Sequence, residues 1–369
     1  MIVTKMQRIN YLDGHRGLAI LLVVFYHAYS RWVDITPYQS VFSDFPLFKF
    51  GFLGVQLFFL LSGYVILMTL EKCTTIQGFI YQRWLRLFPA MFICSMVIFF
   101  SSGFFVERPL GEPQISSLIP GLTFIEPYIL TKLTGISFSS LEGTFWSLYV
   151  EFKFYLIAAL LYFIVGSHKL VFALFSCLVS WVILSLLTQY TDNMLLSYIH
   201  SIFHLLSFEY FGWFSAGAAF YLTNKEENNN WFALGIVFCV ISSVILAIQK
   251  ESIALFVAIM SLSFFFAISL KIKSLQSFLS HRFLVFMGFV SYPLYLLHEN
   301  MMIALIIKLS PFIPAKASFI LPLLAISFIS LLSYLIALYV EKPLKTVIKL
   351  FSSLIIKNYT NQHSLQKDK

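Results

Sequence analysis

The stretch Arg16-Gly17-Leu18-Ala19-Ile20-Leu21-Leu22-Val23-Val24-Phe25-Tyr26-His27 decides the fold. An apolar run sits between a guanidinium and an imidazole, and it continues to about residue 33. A helix of about 20 mostly apolar residues crosses the hydrocarbon core of a bilayer. Eleven steps of about 100° return a helix to within about 20° of its starting face, with a rise of about 16 Å. Arg16 and His27 therefore share one stripe of a membrane span. This register predicts Arg16 near the cytoplasmic boundary and His27 near mid-bilayer, along a polar cavity.

The rest of the chain repeats that character. Of 369 residues, 59% are hydrophobic and 11% charged, against about 25% charged in a soluble domain. Mean hydropathy is +0.84. No soluble core absorbs such an excess of Phe, Leu and Ile, whereas lipid solvates it. Ten candidate spans follow in order, at roughly 17–33, 51–70, 87–105, 145–166, 169–187, 203–222, 231–248, 252–270, 283–307 and 317–340. The expected fold is an all-α polytopic membrane protein of about ten transmembrane helices with both termini cytoplasmic. Residues 1–350 form its transmembrane domain and 351–369 a cytoplasmic tail that begins amphipathic and ends polar.

Charge distribution sets the orientation. With the N-terminus inside, 17 of the 25 Lys and Arg fall in inside segments, 7 outside and 1, Lys153, within a span. The net charge of +8 then reports cytoplasmic loops and calls for no nucleic-acid partner. The four cysteines show no metal-site or CxxC spacing, and Cys94, Cys177 and Cys239 sit in apolar runs as small hydrophobes. No cleavage site of a secretory signal follows the first span. The stretch 106–143, with Pro109, Pro113, Pro120 and Pro127, reads as an irregular, partly re-entrant external loop.

Polar groups inside spans are costly and mark functional sites. His27 with Arg16 is one such pair, the alternative being an imidazole packed against a neighbouring helix. Arg83 and Arg86 stand three apart at the mouth of the third span, a fork suited to phosphate. Simple positive-inside anchoring also explains them. Glu151 begins the fourth span on the external side and needs a partner from another helix, because Lys153 is too close in sequence to share its face. A structural ion pair is the alternative there. Ser62-Gly63-Tyr64, His298-Glu299 after Pro293, and Glu341-Lys342-Pro343 are weaker signals, with Pro293 expected to kink the ninth helix. His200 and His204 lie four apart without a third ligand nearby and read as interfacial packing.

In this order the residues resemble the membrane-bound acyltransferase-3 family, bacterial enzymes that acylate cell-surface sugars. The resemblance rests on Tyr11-Leu12-Asp13-Gly14-His15-Arg16-Gly17 with His27 eleven residues on from Arg16, and on Gly54 through Ser62-Gly63-Tyr64. It continues through Arg83-x-x-Arg86 with Pro89, Trp146-Ser147-Leu148 with Glu151, Ser291-Tyr292-Pro293-Leu294-Tyr295 with His298, and Glu341-x-Pro343. Glu299-Asn300 departs from it, since many relatives carry a Pro near this position.

The resemblance implies that His27 is catalytic with Arg16 its companion, and that Arg83 and Arg86 engage an acyl-CoA donor, acetyl-CoA by default, from the cytoplasm. Glu151 joins the catalytic set, while Trp146, Ser147, Tyr64 and His298 line the substrate path. No metal is implied. The implied reaction is O-acetylation of a surface or lipid-linked carbohydrate such as a lipopolysaccharide, in the bacterial inner membrane. Some relatives carry a fused extracytoplasmic hydrolase-like domain. The expectation here is direct transfer, or hand-off to a separate extracytoplasmic transferase. The rival reading is a proton-coupled transporter or flippase of a lipid-linked sugar that uses His27 and Glu151 as a relay.

Overall fold

A computed structural model describes residues 9–352. Lys5, Arg8 and residues 353–369 of the expected tail lie outside the described residues. The helices run in order: α1 (Asn10–Tyr26), α2 (Pro46–Lys49), α3 (Gly54–Leu70), α4 (Ile76–Ser101), α5 (Leu118–Thr123), α6 (Pro127–Thr134), α7 (Trp146–Tyr190) and α8 (Met194–Leu205). Then follow α9 (Phe211–Glu226), α10 (Asn229–Gln249), α11 (Ile253–Ser269), α12 (Lys273–Leu279), α13 (Arg282–Leu297), α14 (Asn300–Leu309) and α15 (Ile320–Leu335). Short π-helical turns extend α1 over His27–Arg31 and α15 over Ile336–Glu341. This is an all-α, multi-pass membrane protein.

A helical segment stands at each of the ten expected spans, but not each crosses alone. Among the described residues, five helical stretches are long and apolar enough by themselves, and up to seven if each sharply bent pair counts as one. Helix α7 carries two expected spans in 45 residues, about 68 Å at 1.5 Å per residue and twice the hydrocarbon thickness. Gly166 divides it, at φ 79° and ψ 176°, a conformation open to glycine. The sixth expected span begins later than its sequence suggests, at Phe211, because α8 is a separate 12-residue apolar helix.

The ninth span differs most from expectation. Pro293 lies inside α13 without ending it. The break comes instead at His298-Glu299, where α13 and α14 meet at 81°. Irregular backbone at membrane depth survives only where protein or a polar cavity satisfies it, and here two carboxylates do so, as described below.

Helix α3 forms the centre, with 83% of its span buried, whereas the apolar stretch of α10 is 28% buried and turns to lipid. Close approach of helices sets the register. A Cβ on Gly17 would fall 2.0 Å from the Leu284 carbonyl oxygen, and one on Gly288 would fall 1.9 Å from that of Asp13. With lipid as solvent, van der Waals contact between small residues supplies the association that hydrophobic exclusion cannot. The α1–α13 seam brings the end of α1 against the end of α13, and so His27 against His298.

Candidate active site

A basic vestibule of about 1590 Å³ opens where α1, α4, α13 and the end of α15 meet. Arg16, Arg83, Arg86, Lys342 and Lys345 line it, with Asp13 and Glu341 among them. Arg16 Nη1 donates to Asp13 at 3.1 Å. Arg83 is held more tightly than its neighbour. It is 5% exposed, donates to Thr69 Oγ1 at 2.8 Å and lies over the Phe79 and Tyr155 rings. Arg86 lines the vestibule and also the next cavity.

That second cavity, a narrow one, continues inward from Arg16, Arg86, Ser291 and Tyr292 to Ser147 and Tyr295. Its polar centre is Glu151. Ser62 donates to Glu151 Oε1 at 2.5 Å, and the Tyr155 hydroxyl donates to the same oxygen. Ser62 is the partner from another helix that the sequence required. Lys153 points elsewhere, to Glu126 at 2.6 Å. The cavity ends at Tyr295, whose hydroxyl lies 2.7 Å from Ser147 Oγ and 3.1 Å from the Thr144 carbonyl oxygen.

Tyr295 also reaches the histidines, with its ring 5.3 Å from that of His298. His298 Nδ1 lies 2.8 Å from the Tyr295 carbonyl, so that nitrogen carries the proton and Nε2 is left as an acceptor. His27 Nδ1 lies 3.2 Å from that Nε2 and 2.9 Å from the Val23 carbonyl. Both neighbours accept, so His27 Nδ1 is protonated and its Nε2 keeps a lone pair. Glu299 Oε1 stands 3.9 Å from this Nε2.

Two carboxylates hold the break in the ninth span. Glu299 Oε2 accepts from the Thr144 N–H at 2.8 Å, at the start of α7. Glu142 Oε2 accepts from the Asn300 N–H at 3.0 Å and from Asn300 Nδ2, at the start of α14. Each helix start thus donates an orphan N–H to a carboxylate from the other segment. Arg108, 3.6 Å from Glu142 Oε1, donates to the Leu141 carbonyl at 2.6 Å. Burial, reinforced by Glu299, pushes the Glu142 carboxyl above its ordinary value against the pull of Arg108.

The structure gathers most, but not all, of the residues expected at the site. Arg16, Arg86, Ser147 and Glu151 line the central cavity, Arg83 walls the vestibule, and His298 touches His27. Arg16 stands within α1 and His27 just past its end, and they take separate partners, Asp13 and His298. Three expected positions change. His27 lies level with the first turn of α7 rather than midway along the span, since its partner Glu299 binds Thr144. Trp146 faces away from the central cavity, packing on Tyr210 with rings 5.4 Å apart. Tyr64 is buried between α3 and α9, accepting from Asn224 at 3.1 Å, and lines neither cavity.

Glu299, Glu142, Asn300 and Arg108 were not among the expected site residues. Glu299 carried a trace, as a carboxylate beside a span imidazole, while nothing in the sequence links Arg108 to Glu142 across 34 residues. All four cysteines are free. His204 pairs with Glu209 at 3.0 Å, and among the described residues no group of three His, Cys, Asp or Glu is disposed to hold a metal.

This chain belongs to the acyltransferase domain family, whose pattern matches residues 9–342. It is similar to the peptidoglycan O-acetyltransferase of Listeria monocytogenes, 31% identical over 157 residues, which cover 40% of this chain and 23% of that protein. A protein of the Acidianus two-tailed virus, named provisionally as an acetyltransferase, is 25% identical over 77% of this chain and 80% of its own length. A Staphylococcus aureus protein, named provisionally as an O-acetyltransferase, is 33% identical over 26% of this chain and 14% of its own. The chain thus spans less than a quarter of the Listeria and Staphylococcus proteins. No solved structure matches it.

Proposed function

We propose that this protein is a membrane O-acetyltransferase that moves an acetyl group from cytoplasmic acetyl-CoA to a hydroxyl of a carbohydrate at or beyond the bacterial inner membrane. The observation that carries the reading is His27, buried with Nδ1 engaged by Val23 and His298 and Nε2 faced by Glu299, beyond the Tyr295 end of the cavity that leads in from a basic vestibule. Family membership and relatives with O-acetyltransferase names support the chemistry.

The steps follow from the side chains. Arg16, Arg86, Lys342 and Lys345 hold the donor's phosphates, with Arg83 adding charge from the wall. The pantetheine arm follows the central cavity past Glu151 and Ser62 toward Tyr295 and His27. A sugar hydroxyl gives its proton to His27 Nε2 as its oxygen attacks the thioester carbonyl. The tetrahedral intermediate collapses with cleavage of the C–S bond. The proton passes from His27 to the departing sulfur, leaving an O-acetyl ester and free CoA thiol. Glu299 faces the atom that gains the proton, so it stabilises the imidazolium of the transition state more than the resting imidazole. His298 fixes the His27 tautomer through its Nε2.

Mass spectrometry of surface glycans from cells making the wild type or His27→Ala tests this. O-acetyl groups are expected with the wild type and absent with the variant inserted at equal level. Equal acetylation in both would end the reading.

A further inference from the structure

We infer that a third cavity, on another face of the first turn of α7, binds the saccharide acceptor. This rests on the acyl-transfer reading above and adds where the acceptor docks. The cavity, about 1390 Å³, lies beside α8 and is lined by Trp146, Tyr128, Tyr198, Tyr210, Glu126 and Glu209 together with His200 and His204. Its aromatic rings are open to an incoming ligand. Tyr198 is 66% exposed and Tyr128 61%, while Trp146 is 39% exposed and braced from behind by Phe59.

Sugars present apolar C–H faces ringed by hydroxyls. Flat aromatic surfaces cover the faces, and carboxylates and imidazoles accept from the hydroxyls. This cavity offers both. Glu126 is held by Lys153, and Glu209 by His204, so the acceptor oxygens are fixed in place. Its charge also differs from that of the vestibule. Its two carboxylates are paired, Glu126 with Lys153 and Glu209 with His204, against the five cations that line the vestibule, which suits a neutral saccharide better than the polyanionic donor.

The cavity's position links it to the reaction. Residues 144–147 form the wall between it and the His27 end. Trp146 faces the aromatic cavity, Ser147 meets Tyr295, and the Thr144 N–H meets Glu299. Helix α8, with Met194 89% and Leu195 65% exposed, reads as an interfacial helix that sets this cavity at the edge of the lipid.

The test uses the full chain in lipid nanodiscs on a printed array of neutral and anionic bacterial oligosaccharides. The wild type and His27→Ala should both retain neutral oligosaccharides. Trp146→Ala with Tyr210→Ala should lose at least tenfold in retention and raise the acceptor KM by a similar factor. Should that double variant melt early, Tyr198→Ala with Glu126→Gln, at exposed rim positions, is expected to lose at least threefold. No retention by the wild type, or undiminished retention and KM in a folded variant, would overturn the assignment. If oligosaccharides bind but acetyl-CoA is never consumed, the acyl-transfer reading fails and the saccharide site stands. If transfer proceeds with an unchanged KM in the folded variants, the site fails and the transfer reading stands.

Discussion

At His27 the hydrogen-bond partners decide the chemistry. Val23 and His298 both accept at Nδ1, so any proton taken up must enter at Nε2, where Glu299 waits 3.9 Å away. General acid–base groups contribute about 10²–10⁴-fold. His27→Ala is expected to lower acetyl transfer by that factor while the protein still inserts and melts normally, as single-turnover assays with radiolabelled acetyl-CoA can measure. Glu299→Gln keeps an acceptor for the Thr144 N–H but removes the charge. It should lower kcat about tenfold, or about 1.4 kcal/mol, with the donor KM unchanged. A changed donor KM with intact kcat would move Glu299 out of the chemical step. His27 and Arg16 were legible in sequence because one helix carries both, and helical register needs no tertiary information. Glu299 was visible only as a polar residue next to His298, because its role depends on a bend that no local pattern announces.

At the scale of elements, the seam between α1 and α13 and the break between α13 and α14 place the site. Gly17→Leu would put side-chain carbon where the Leu284 carbonyl now lies. The seam must open, and overpacking of this kind costs about 1–3 kcal/mol. A lowered melting temperature in detergent together with lost activity is expected, whereas full stability would mean that the seam is looser than its backbone contacts indicate. The ten apolar segments were readable from hydropathy, including the division of α7 near Gly166. The break in the ninth was misplaced at Pro293, since a proline can be absorbed within a membrane helix. The real break lies where Glu142 and Glu299 supply acceptors for exposed N–H groups, and those partners come from distant parts of the chain.

Across the whole molecule, a basic opening and an aromatic one lie on either side of residues 144–147. The vestibule gathers cations from α1, α4 and the end of α15; sequence pointed to Arg16, Arg83 and Arg86, but showed Lys345 only within a bias of inside charges. Arg86 lines both vestibule and cavity, and it is less tightly engaged than Arg83. Arg86→Gln should therefore raise the KM for acetyl-CoA more than Arg83→Gln does, and the difference should shrink as salt is added. Equal effects at all ionic strengths would point to a structural role for both.

The central claim is transfer of an acetyl group at His27. Its most direct test is reconstitution into vesicles with radiolabelled acetyl-CoA supplied on one face and an oligosaccharide acceptor on the other. Label is expected on the oligosaccharide with the wild type and none with His27→Ala of matching orientation and stability. Label transferred at the wild-type rate by that variant would contradict it.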